Sequence, residues 1–119
     1  MYATARNEGI VHFAAAGNSA GSTPVYPASL PSVVAVGAID RHQQVYSGNH
    51  TGVFICAPGV DILTTDRPGS SGYNEGDYFV GTGTSASSPY VAGVAALMLS
   101  VNPELSPVDV ENILRETAR

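Results

Sequence analysis

Disulfide chemistry is the first thing this sequence excludes. Cys56 is the only cysteine, so neither an internal bridge nor a cysteine-based metal cluster can form. Flanked by Ile55 and Ala57, it reads as a small buried hydrophobe, and the redox compartment stays open. Charge is scarce as well: charged residues make up 13% of the 119, the net charge is -5, and no Lys/Arg cluster is present. Neither nucleic acid nor an anionic membrane surface is therefore expected as a partner. No basic segment followed by an apolar one opens the chain, and no run approaches the roughly 18 apolar residues of a membrane span. An export signal, if one is used, would precede Met1. Internal repeats are absent too.

What is present is a hydrophobic content of 44%. With so little charge, many segments must be buried on more than one side, as in a layered α/β interior. The length suits one domain, or a piece of one, over residues 1–119. Residues 2–8 read as the last turns of a helix that Gly9 ends in a left-handed conformation. Ile10 to Ala16 and Val33 to Ile39 are continuous apolar runs of the kind buried on both faces of a parallel sheet. A third strand is expected at Val53 to Ala57, stopped by Pro58-Gly59, and an antiparallel hairpin at 60–64 and 78–82. These runs predict an α/β fold with a doubly wound, mostly parallel sheet. Gly17-Asn18-Ser19 then sits at a strand's carboxyl end, where such sheets place their sites.

Two helices close the chain. Ser85 to Val101, with Pro89 in the first turn, is apolar all round and is expected to be buried in the core. Ser106-Pro107-Val108-Asp109 carries the signature of a capped start. Behind it Val110, Ile113 and Leu114 form a buried stripe, with Glu111, Asn112, Arg115 and Glu116 facing water.

The chemistry gathers at Gly81 to Ser88. A Gly/Ser/Thr tract alone is an ordinary flexible linker, but this one runs straight into a buried helix. A serine there meets the positive end of the helix dipole and unpaired backbone N–H groups able to stabilise an oxyanion. It still needs a general base within reach.

Gly83-Thr84-Ser85-Ala86-Ser87-Ser88-Pro89-Tyr90-Val91-Ala92-Gly93 resembles the nucleophile signature of the subtilisin-like serine peptidases, the subtilases. Ala14 to Ser19 looks like that family's strand end, whose Asn donates to the oxyanion; by itself an Asn after Gly is usually a turn residue. Tyr26-Pro27-Ala28 with Val33 to Ala38, Ala57 to Val60, and Asn102 to Ser106 are similar to further family segments in the same order. The resemblance implies the C-terminal half of a three-layer peptidase domain, with Ser85 as nucleophile and Asn18 as oxyanion donor. It further implies a polypeptide substrate contacted by Ala15, Ala16, Gly17 and Thr84, and Val25 near the floor of the pocket for the side chain before the cleaved bond. A branched Val25 would favour small or medium apolar side chains there. An extracellular location and no cofactor are implied as well.

The family's catalytic Asp and His motifs lie N-terminal to the strand that ends in Asn18, and this chain has neither. His12 falls in a strand, and His42 and His50 in polar loops. Asp40, Asp61, Asp66, Asp77 and Asp109 read as turn, cap or surface acids. The chain alone is therefore expected to be catalytically silent, its base and orienting acid coming from a missing N-terminal half. Met1 inside a helical stretch fits a chain that starts part-way through a domain. Tyr90 stands where the family usually has a structural His. The family's calcium site, built near Ala28 and Leu30, has Phe54 or a neighbour where its Asp would stand, so no metal is expected. The competing reading is a non-catalytic peptide-binding module derived from a subtilase.

Overall fold

The computed structural model describes all 119 residues. It opens on helix α1 (Tyr2–Asn7). Gly9, at φ 89°, ends the helix as expected. The Gly9 N–H donates to the Arg6 carbonyl and the Ile10 N–H to the Ala5 carbonyl, both at 3.0 Å, which completes a Schellman closure.

Strands β1 (Phe13–Ala15), β2 (Val34–Ile39) and β3 (Ile55–Pro58) form a parallel sheet in that order. Ala14 lies opposite Ala35, and Gly37 opposite Cys56. The first apolar run is regular strand over only three of its residues. Its ladder continues on both sides, through the His12 carbonyl accepting from Val34 N–H and Ala16 N–H donating to the Val36 carbonyl. β1 is an edge strand here and is half-buried, whereas β2, flanked on both sides, is buried almost throughout. The hairpin forms separately as antiparallel strands β4 (Ile62–Thr65) and β5 (Tyr78–Gly81).

Helix α2 (Thr84–Val101) packs across β1, β2 and β3. Its buried residues, Thr84, Ser87, Val91 and Ala95, recur at helical spacing on one side. The rest corrects the expectation of all-round burial: Tyr90, Val94, Leu97 and Val101 are exposed, Leu97 by 69%. α2 also corrects the statement about membrane-length runs, because its 18 residues reach a mean hydropathy of 1.2, enough by length and composition to span a bilayer.

Helix α3 (Pro107–Thr117) carries the expected capping box, the Ser106 hydroxyl accepting from Asp109 N–H and the Asp109 carboxylate accepting from Ser106 N–H. Hydrogen bonds from Ser106 hold the Asp109 carboxyl below its ordinary pKa. Val110 and Leu114 join Val34, Val36, Ala57, Val91 and Ala95 in the main core. Ile113 departs from the expected stripe, being 38% exposed. Glu111 departs in the other direction, half-buried in an ion pair with Arg6 that ties α1 to α3. On the sheet's opposite face Ala16, Ala28 and Ala35 form a second cluster of small side chains.

Candidate active site

The site is assembled where the end of β1 meets the start of α2. Gly83 precedes the helix at φ 155°, and a Cβ there would lie 3.0 Å from Asn18 Nδ2, so glycine lets the Asn18 amide rest against the helix entry. Asn18 Oδ1 accepts from the Thr84 N–H at 2.8 Å and from the Thr84 hydroxyl at 3.1 Å. The same hydroxyl accepts from the Gly17 N–H at 3.2 Å. An N–H can only donate, so the Thr84 amide fixes which end of the Asn18 side chain is oxygen and leaves Nδ2 as the free donor end. Gly83 supplies no side-chain cap and Asn18 Oδ1 takes up only the Thr84 N–H, so Ser85 in the first turn of α2 keeps its N–H available to a ligand.

Ser85 is exposed on the wall of an open cleft of ≈ 750 Å³. Its other walls come from the hairpin, through Ile62, Leu63 and Phe79, from Tyr73 in the connecting loop, and from Pro89 and Tyr90 of α2. Tyr73 and Phe79 pack against each other with ring centroids 4.9 Å apart and planes tilted by 34°. Asp66 holds the loop between β4 and β5: partial desolvation opposes its ionisation, but N–H groups of Arg67, Tyr73 and Asn74 donate to the carboxylate and leave its pKa below the ordinary value.

A serine and an amide donor thus stand together where the end of β1 meets the start of α2, an arrangement that acyl transfer can use. The sequence profile described as "Subtilase family" matches residues 1–119. The chain belongs to the subtilase family. Subtilisin DY of Bacillus licheniformis is 44% identical over 116 residues, covering 92% of this chain and 40% of that protein. Subtilisin BL of Lederbergia lenta is 39% identical, covering 97% and 41%. The crystal structure of a cold adapted subtilisin-like serine proteinase superposes with a TM-score of 0.82 at 34% identity, over 96% of this chain and 40% of that one. This subtilase chain thus spans about two fifths of the length of these relatives.

In this subtilase chain the residues expected to contact substrate fall into two groups. Thr84 has no exposed surface, and its hydroxyl is committed to Asn18 and Gly17. Ala16 is equally buried, its N–H bonded to Val36 and its carbonyl to the Val25 N–H, while Ala15 and Gly17 are half-buried and Val25 is 45% exposed. Ala15, Ala16, Gly17 and Val25 stand apart from the walls of the Ser85 cleft. The sequence did not single out the cleft's hairpin residues, although the runs at 60–64 and 78–82 did mark the hairpin itself.

None of the three histidines lines the cleft or bonds to Ser85. His12 packs edge-on against Tyr2, with centroids 5.1 Å apart, and His42 is exposed. His50, in a segment of polar sequence, is buried. Asp40 closes a turn by accepting from His42 and Gln44 N–H groups.

Residues 51–57, where the implied calcium site would need an acid, hold no carboxylate. The Leu30 carbonyl accepts from Val33 N–H, and Phe54 stands under the Arg115 guanidinium, 5.7 Å from its ring centroid. Apolar carbon beside a fixed positive charge offers no hard oxygen ligand.

Proposed function

We propose that this chain supplies the nucleophile and the oxyanion donors of a serine endopeptidase. The observation that carries the reading is the Thr84 clamp, which holds Asn18 Oδ1 at the helix entry that also carries Ser85 and its N–H and leaves Nδ2, beside Gly83, as the free donor. Ser85 Oγ adds to the carbonyl carbon of a peptide bond and its proton passes to a base. The oxyanion is held by Asn18 Nδ2 and the Ser85 N–H. Collapse expels the amine, which takes that proton, and water releases the acyl group in a second round. Removing the corresponding Asn donor of a subtilisin costs roughly 10² to 10³ in kcat.

Ala15, Ala16, Gly17 and Val25 belong, in this proposal, to the side of the substrate before the cleaved bond, and Val25 restricts that pocket to small or medium apolar side chains. Support comes from the Val25 N–H bonded to Ala16 beside the β1 end. Thr84, wholly buried, contributes by orienting Asn18. The base and its orienting acid come from outside residues 1–119, in a fuller domain with the three-layer, doubly wound arrangement. The substrate is a polypeptide, the setting extracellular, and neither nucleic acid nor membrane is a partner.

A fluorophosphonate probe tests this. The full-length gene product should label at Ser85, and labelling should vanish in Ser85→Ala. The isolated 119-residue chain should stay unlabelled, and rapid labelling of it would overturn the assignment of the base elsewhere. Complete inertness of the full-length product would favour the non-catalytic module.

A further inference from the structure

His50 is 7% exposed and plays no part in the chemistry proposed above. Its surroundings are nevertheless specific. Nδ1 lies 2.7 Å from the Thr23 carbonyl oxygen. A carbonyl only accepts, so Nδ1 carries the hydrogen and Nε2 is the acceptor. Nε2 in turn faces both donors of Ser19, the hydroxyl at 2.9 Å and the N–H at 3.4 Å. The ring is therefore held at both nitrogens by two residues of one loop, Ser19 and Thr23.

That loop, residues 17–23, closes over the ring with no room left. A Cβ on Gly17 would stand 2.7 Å from Nε2, and one on Gly21 would stand 2.5 Å from Cε1. Under it lies the segment around His50: Ala20 N–H donates to the Gly48 carbonyl, Thr51 N–H to the Gly21 carbonyl, and the Thr51 hydroxyl to the Ser22 carbonyl.

Asn18 stands in the middle of this arrangement. Gly17, before it, is tied to Thr84, its own side chain is tied to Thr84, and Ser19, after it, is tied to His50. Thr84 fixes the direction of the side chain. His50 fixes the backbone from which that side chain projects. A donor aimed at a developing charge acts well only when held within about 0.5 Å of its productive position, which requires supporting groups that are themselves locked. A buried imidazole with both nitrogens engaged meets that requirement.

We propose that His50 is the positioning residue for Asn18, holding the oxyanion donor at the β1 end through Ser19. The proposal rests on the reading of Asn18 and Ser85 as reacting groups and assigns His50 no proton transfer.

The test is a double-mutant cycle in the full-length gene product. His50→Phe keeps a ring under Gly17 and Gly21 and removes both hydrogen bonds. It should lower kcat on a peptide p-nitroanilide by about tenfold to a hundredfold while KM moves less than about twofold. In an Asn18→Ala background the same change should cost less than about twofold more, because the donor it positions is already gone. Equal losses in both backgrounds would overturn the proposal and leave His50 a packing residue. Ser19→Ala, an exposed change, should show the same pattern more weakly should His50→Phe fail to fold. A readout independent of turnover is the Asn18 side-chain amide in ¹⁵N NMR spectra. It should shift and broaden in His50→Phe, and an unchanged signal would refute the proposal even in an inactive protein. Failure of fluorophosphonate labelling alongside a perturbed Asn18 signal would count against the peptidase reading and leave His50's role standing.

Discussion

Ser87→Ala should stabilise this protein. Ser87 is wholly buried in the first turns of α2, and its hydroxyl has no hydrogen-bond partner. An unpaired buried hydroxyl costs about 1 to 3 kcal/mol relative to one left in water. Alanine is also the better helix former by about 0.5 kcal/mol. Against this stands the packing of a single oxygen, well under the cost of the larger deletions that leave cavities. The net expectation is a gain of about 1 to 2 kcal/mol. The reason the serine is crowded is visible across the interface, where a Cβ built on Gly59 would fall 2.1 Å from Ser87 Oγ, 2.7 Å from Ala38 Cβ and 2.9 Å from the Gly83 carbonyl oxygen. Gly59→Ala should therefore cost about 1 to 3 kcal/mol by overpacking. The double variant should lose less than the sum of the two, since the closest clashing atom is gone. Urea denaturation of the full-length gene product followed by circular dichroism reads all three values from the midpoint at constant slope. A less stable Ser87→Ala would refute the reasoning and point to a buried water as the missing partner.

Acid should weaken the loops first. The Asp66 and Asp109 carboxyls have folded pKa values below their unfolded ones, so their contribution is complete above the unfolded value and is lost as pH falls through the folded one. The denaturation midpoint should drop below about pH 4, and less steeply in Asp66→Asn; identical acid limbs would contradict this. Arg6→Ala should cost about 1 kcal/mol through its half-buried partner Glu111 and speed hydrogen exchange in α1, whereas unaltered exchange would remove the pair from the account.

Much of this was legible in the sequence because it is local. The Ser106 to Asp109 box, the Gly9 closure and the apolar runs each declare themselves within a few residues. What escaped depends on distant partners. The Arg6 to Glu111 pair spans 105 positions, and nothing near Glu111 distinguishes it from a solvated acid. His50 reads as a loop residue because the loop that buries it lies 31 positions earlier, at Ser19. Thr84 is similar: the family signature marks it, but only the approach of Asn18, 66 positions away, shows that it faces inward. The one-sided burial of α2 misled in the opposite way, since uniform apolar composition says nothing about how much covering chain is present.

The two long helices of this chain begin in opposite styles. α3 opens on a reciprocal cap, whereas α2 opens on a glycine that caps nothing. A stability-minded redesign would treat that bare entry as a defect and fill it with a hydroxyl or carboxylate side chain. On the proposed function such a side chain would act as a built-in inhibitor, a tethered acceptor at the Ser85 N–H. On that reading stability and turnover pull on the same atom positions at Gly83, and it is the first position to exclude from any thermostabilising library.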